Sequence, residues 1–226
     1  MENPFIAVAL PPLLIVPAMG ILSRIRVVSP LQSELRRKTL HILTGLLALC
    51  LPFVLRQPTA ILGTLFAVAG WMLAVRLLPS LRERFGCVLH AAGRQSYGEL
   101  YFAVALASLL LACEPGSILY SLPVLILTLA DSAAAVVGRA WPWRPYRVFA
   151  GRKSLGGSLA FVTCAAVVAL AMLVFAGDMA FGRALYAALL VAVLAGLAEG
   201  LSPNGSDNLS IPATTWLTLH YLLNGV

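Results

Sequence analysis

Residues 131–158 read DSAAAVVGRAWPWRPYRVFAGRKSLGGS, a polar stretch between two long apolar runs. It carries one acid (Asp131), a glycine at 138, the bases Arg139, Arg144, Arg147, Arg152 and Lys153, and a Lys-Ser-Leu-Gly-Gly-Ser turn. Ionisable groups at the edge of a bilayer are costly to keep and mark a site by default. An acid beside a basic, glycine-rich turn suits a metal-chelated polyphosphate held where a lipid also reaches. The stretch therefore predicts an integral membrane enzyme that handles a nucleotide on a lipid substrate.

Composition outside this stretch agrees. Of 226 residues, 60% are hydrophobic and 11% charged, and the mean hydropathy is +0.91, which excludes an ordinary soluble globular domain. Apolar runs fall at 5–22, 40–55, 59–78, 98–113, 118–138, 158–176, 184–201 and 210–223. A helix needs about 20 residues to cross the hydrocarbon. The expectation is an all-α, polytopic helical bundle of seven or eight transmembrane helices, forming a single transmembrane catalytic domain over 1–226. The second and fourth runs are short and are expected to extend into their polar flanks. The last is expected to be partial or re-entrant. Prolines 11, 12 and 17 make the first run irregular, and nothing around it resembles a cleavable signal. Cys50, Cys87, Cys113 and Cys164 are scattered without metal-ligand spacing.

A net charge of +7 raises the question of nucleic acid. The bases, however, sit in short loops between apolar runs, as in a membrane protein marking its cytoplasmic side, so no nucleic-acid partner is expected. Loops 23–39, 79–97 and 139–157 hold thirteen of them, against Arg56 and Arg183 in the alternate loops. That bias places the three basic loops inside, with a bacterial inner membrane as the expected location. Five of the nine acids, Glu34, Glu99, Asp131, Glu199 and Asp207, then share the cytoplasmic side. Glu83, in a basic stretch, reads as a solvated charge.

Four clusters follow. In the first, Glu34 to His41 with Gly45 beneath, Glu34/Lys38 and Arg37/His41 are i,i+4 neighbours on a helix. Arg37 and Lys38 either contact phosphate or anchor to anionic headgroups. Ser96 to Phe102 contains Glu99, which balances an arginine, completes a metal site, or simply favours a helix N-terminus. In the third, Asp131 and Gly138 lie near one helical face. Lys153, Arg152 and Ser154 precede Gly156, Gly157 and Ser158, where a helix should begin and offer free amides to an anion. The plainer reading there is an Asp–Lys pair linking two helices. The fourth, 199–212, places Glu199, Asp207 and Asn208 within ten residues, as oxygen ligands for Mg²⁺ or as a helix cap.

The ordered set RRKTLHILTG (36–45), SYGELYF (96–102), DSAAAVVGR (131–139), KSLGGSLA (153–160) and EGLSPNGSDNLSIP (199–212) resembles the CTP-dependent polyprenol kinase family. That family includes dolichol, phytol and yeast-type diacylglycerol kinases, and it resembles the phosphatidate cytidylyltransferases. The resemblance covers 36–212. It implies CTP as co-substrate, Mg²⁺ as cofactor and a membrane lipid alcohol as acceptor. It links Asp131, Ala134, Gly138, Lys153, Ser154, Gly157 and Ser158 to CTP and metal, and adds Glu199, Gly205, Asp207, Asn208 and Leu209. Two departures stand out: Trp141-Pro-Trp-Arg-Pro145 replaces a glycine-containing turn, and Gly156 stands where relatives often carry an acid.

The expected mechanism has Asp131 and Asp207 holding Mg²⁺, with Glu99 as a further ligand. Lys153, Arg152 and the Gly156–Ser158 amides offset charge on the transferred phosphoryl group. Glu199, Asp207 or His41 accepts the hydroxyl proton. Cytidylyl transfer to a phospholipid would use the same residues. A small transporter is a third expectation, of another class.

Overall fold

The computed structural model describes residues 4–89, 97–148 and 151–224. Ser96, which opens the second cluster, and Arg94 of the 79–97 loop lie outside them. Helix α1 (Pro4–Ser23) contains its three prolines. Helix α2 (Pro30–Val54) starts ten residues before the apolar run. Ser29 caps it, its Oγ accepting from the Gln32 amide at 3.2 Å, and Pro30 suits the first helical position, where no amide bond is lost. The run thus extends into its polar flank as expected, which brings Glu34, Arg37 and Lys38 onto a helix.

Helix α3 (Pro58–Leu77) is followed by α4 (Pro79–Leu89), an 11-residue helix in what read as a basic loop. Its Phe85 and Val88 are buried against Met19 and Val75, while Arg82, Glu83 and Arg84 face out. Arg36 Nη2 donates to the Cys87 carbonyl at 2.6 Å and pins α4 to α2. Helix α5 (Gly98–Ala112) does not extend and stays at 15 residues. At 1.5 Å per residue this is about 22 Å, short of the roughly 30 Å of hydrocarbon.

Helix α6 (Ile118–Leu125) runs through a π-helical turn (Ile126–Ala130) directly into α7 (Asp131–Ala140). Strands β1 (Pro145–Val148) and β2 (Gly151–Ser154) then form an antiparallel hairpin, Pro145 opposite Ser154 and Arg147 opposite Arg152. This hairpin is a departure from the all-α expectation. Helices α8 (Leu155–Phe175), α9 (Phe181–Leu201) and α10 (Asp207–Asn224) complete the fold.

Among the described residues five helical stretches are long and apolar enough to cross a membrane: Pro30–Val54, Pro58–Leu77, Ile118–Ala140, Leu155–Phe175 and Phe181–Leu201. The protein is an integral membrane helical bundle, but the expected seven or eight crossings do not all meet that standard. At 15 residues α5 is too short, and α10 is diluted by Asp207, Asn208, Ser210 and five later polar residues.

The core lies between α7, α8, α9 and α10. Phe161, Ala165, Ala169 and Leu173 of α8 meet Ala184, Ala188, Val191, Ala192 and Ala195 of α9, all essentially inaccessible. In lipid the apolar effect does not drive helices together, so small residues that allow close backbone approach do the work. Tyr120 locks α6 to α2, its hydroxyl donating to the Ala48 carbonyl at 2.6 Å. That contact sets the face of α2 against the segment leading to Asp131.

Candidate functional site

Gly45 decides how closely α2 meets the π-helical turn. A Cβ there would lie 2.0 Å from Thr128 Oγ1, so only glycine permits the approach. The π-helical turn therefore packs directly against α2 at Gly45. The His41 Nε2–H donates to the Leu127 carbonyl at 3.1 Å and lies 3.5 Å from Asp131 Oδ2. Nε2 is thereby engaged as a donor, which leaves the Nδ1 lone pair as the acceptor of the neutral ring.

One turn earlier, Lys38 Nζ donates to Asp131 Oδ2, bridging residues 93 apart in sequence. Both side chains are buried, 3% and 11% exposed. Arg37 Nη2 donates to Glu34 Oε1 at 2.5 Å. The i,i+4 pairs expected on α2 are thus replaced by an i,i+3 pair and a bridge to another helix. The reason is burial: a carboxylate at the start of α7 away from water needs a cation, and Lys38 reaches it.

The second ionised group is built by β2, α9 and α10. Lys153 Nζ donates to Glu199 twice, to its carbonyl and to Oε1 at 2.7 Å, and lies 4.0 Å from Asp207 Oδ2. Asp207 opens α10, which is not among the apolar spans. Burial pushes its carboxyl above the usual range and the charge of Asp131 adds to this, while Lys153 and Lys38 act the other way. Asp131 and Asp207 are therefore near enough to feel each other. Glu199 Oε2 and Asn208 Oδ1 are buried without a hydrogen-bond partner, whereas Asn208 Nδ2 donates to the Gly205 carbonyl at 3.4 Å.

The start of α8 corrects a specific expectation. Its first amides are not free for an anion. Leu155 N donates to the Arg144 carbonyl and Gly156 N to the Trp143 carbonyl, both at 3.3 Å, while Gly157 N donates to Ser154 Oγ at 3.1 Å. The hairpin and a serine N-cap have taken them. Ser158 Oγ is paired with the Tyr146 hydroxyl at 2.8 Å. The glycines serve packing: a Cβ on Gly157 would lie 2.9 Å from the Ala134 carbonyl, and one on Gly138 would lie 3.2 Å from Ser154 Oγ. A Cβ on Gly156 would lie 3.0 Å from the Trp141 carbonyl. The two departures from the family pattern are thus one feature, since the Trp141–Pro145 turn occupies the space an acid at 156 would need.

Glu99 stands apart from the other carboxylates. Its Oε2 is 4.0 Å from Arg76 Nη2, and the Arg76 guanidinium lies 4.3 Å over the Tyr97 ring. The arginine beside it comes from the last turn of α3, not from a neighbouring loop. Among the described residues no three His, Cys, Asp or Glu side chains gather closely enough to hold a metal ion alone.

Both ionised groups nevertheless open on one cavity of about 950 Å³. Arg37, Lys38, Asp131, Arg152, Lys153, Glu199, Asp207 and Asn208 line one end, with Glu99 on its wall; Leu51, Leu55 and Ile61 line the other. Sequence reasoning singled out the ionised residues but not the α2 partner of Asp131, the Arg76–Tyr97 contact or the hairpin. Arg76 closes the apolar helix α3 and carried no sign in the sequence of its partner Tyr97; the hairpin left no periodic sign.

No protein-family model matches the chain, and no solved structure matches it. A phytol kinase of Synechocystis sp. is 30% identical over 186 residues, covering 80% of this chain and 76% of the relative.

Proposed function

The chain belongs to the polyprenol and phytol kinase family, and on that footing we propose that it transfers the γ-phosphoryl group of CTP to a lipid alcohol. The observation carrying this reading is the single cavity that joins an ionised end to an apolar one. A kinase acting on a membrane alcohol needs both at once: charged groups for a triphosphate, and a dry slot that brings a hydroxyl to it. The crowding of basic residues into three loops supports a cytoplasmic ionised end in a bacterial membrane.

Phosphoryl transfer asks the protein mainly for position and charge. Lys153 and Arg152 from the hairpin, with Arg37 and Lys38 from α2, would neutralise the phosphate oxygens. The alcohol oxygen bonds to the γ-phosphorus as the bond to the β–γ bridging oxygen breaks, and CDP leaves. The hydroxyl proton passes to Glu199 or Asp207. Glu199 is the better placed, because its Oε2 is buried with no donor of its own.

The oxygen donors also fit Mg²⁺ entering with the nucleotide: the unpartnered Asn208 Oδ1, beside Asp207 and Asp131. With no complete protein cage, phosphate oxygens and water would finish the shell, as is usual for this ion. When bound it would bridge and neutralise phosphate charge.

The test is to incubate the purified protein in nanodiscs with a mixed pool of lipid alcohols and either α- or γ-labelled CTP. Label from the γ position should enter the lipid. Entry of α-label instead would mean cytidylyl transfer, and entry of neither would remove the enzymatic reading.

A further inference from the structure

Two tryptophans stand on the outside of the turn between α7 and the hairpin. Trp141 is 64% exposed and Trp143 41%, and their rings stack at 6.1 Å with 17° between the planes. Neither lines the cavity. Their depth is fixed by the backbone on both sides. The Trp141 amide donates to the Val137 carbonyl at 2.7 Å, at the end of the crossing stretch Ile118–Ala140. The Trp143 carbonyl accepts from Gly156 N at 3.3 Å, at the start of the crossing stretch Leu155–Phe175. Both indoles therefore sit where two crossings leave the hydrocarbon. Tryptophan is enriched at that level because its ring is apolar and its N–H polar.

Cations share this ledge. Arg144 has a φ of 46°, a left-handed backbone that is uncommon for any residue but glycine, and its carbonyl accepts from Leu155 N at 3.3 Å. Its guanidinium lies 5.3 Å from the centre of the Trp143 ring. A guanidinium stacked on an indole keeps its N–H edge for a phosphate. Arg147 is exposed and stands opposite Arg152 in the strand register. Like charges directly opposite destabilise a strand pair, and a nearby anion relieves them. Arg152 lines the cavity, whereas Arg144 and Arg147 do not. Among the described residues neither of these two pairs with a carboxylate.

We propose that Trp141, Trp143, Arg144 and Arg147 form a docking surface for the headgroup of an anionic phospholipid. The indoles lie among the glycerol and upper acyl groups, and the two guanidiniums take the phosphate oxygens. A soluble anion would satisfy the arginines alone. The stacked indoles beside them, at the edge of the hydrocarbon, favour a lipid. This contact is made outside the cavity and is separate from the phosphoryl acceptor.

The purified protein in nanodiscs is titrated with brominated phosphatidylglycerol or brominated phosphatidylcholine, the bromine lying just below the headgroup. Quenching of Trp141 and Trp143 is read as the native signal minus that of the Trp141→Phe/Trp143→Phe variant. Phosphatidylglycerol should quench at the lower mole fraction, by about fivefold for each arginine engaged, the weight of one cation near an anionic surface. Arg144→Gln and Arg147→Gln should each remove about that factor, and the double variant should respond equally to both lipids at an unchanged Tm. Arg144→Lys keeps the charge and should keep the preference. Equal quenching of the native protein by the two lipids would overturn the proposal. So would quenching by neither, which would turn the surface toward water or a soluble acidic partner, or reversal of the quenching by soluble glycerophosphate, which would make it a free-anion site. The readout needs no nucleotide, so it stands or falls apart from the transfer reaction.

Discussion

Replacing Lys38 by Met removes one charge of a buried pair and little volume. Asp131 would keep His41 Nε2 at 3.5 Å, and Arg37 is already tied to Glu34. An orphaned buried charge of this kind costs about 3–5 kcal/mol. For a chain of this size 1 kcal/mol is worth ~2–4 °C in Tm, so Lys38→Met should melt about 6–20 °C lower. Asp131→Leu should cost a similar amount by stranding the lysine. The double variant, with both charges gone, should recover to within about 1–2 kcal/mol of the native protein, because apolar replacement of a buried pair is often neutral. Thermal unfolding followed by tryptophan fluorescence in one detergent provides the readout, and CTP-dependent phosphorylation should be lost in all three variants. A double variant as unstable as the sum of the singles, or a Lys38→Met protein melting within ~2 °C of native, would refute the assignment of this bridge as a buried, mutually compensating pair.

Other outcomes follow from the same geometry. Lys153→Met should lower kcat by about 100- to 1,000-fold, the range for losing one preorganised charge at a reacting centre, checked by steady-state turnover with saturating alcohol. Gly45→Ala should destabilise by about 1–3 kcal/mol through overpacking against Thr128. Thr128→Ala in that background should return part of the loss, measured as a double-mutant cycle. Gly157→Ala should cost more than Gly138→Ala in thermal unfolding: the first meets the Ala134 backbone carbonyl, which cannot turn aside, and the second meets a serine hydroxyl.

Several parts of this molecule were legible in its residues because their signals are local. The start of α8 was marked by Lys-Ser-Leu-Gly-Gly-Ser before an apolar run, and Ser154 does cap it. The inward set of carboxylates was legible because acids are too few in an apolar chain to be scattered without cost. What escaped was either short or distant. Helix α4 has only 11 residues and its charges masked the apolar face made by Phe85 and Val88. The hairpin strands have four residues each, too few for alternation to show. Lys38 could be paired from sequence only with its neighbours on α2; its bridge to Asp131 depends on Gly45 and a π-helical turn that bring two helices together. The amides at Gly156 and Gly157 read as an anion site because nothing in the sequence shows that the preceding loop folds back to use them.

Convergence of α2, α7, the hairpin, α9 and α10 on one nucleotide pocket is tested most directly by calorimetric titration of CTP into the purified protein, with and without Mg²⁺. Binding should require the ion and should be lost in both Asp131→Asn and Asp207→Asn, whose side chains come from distant parts of the chain. If either variant, still folded by its melting curve, bound CTP with Mg²⁺ as the native protein does, the two carboxylates would not belong to one site.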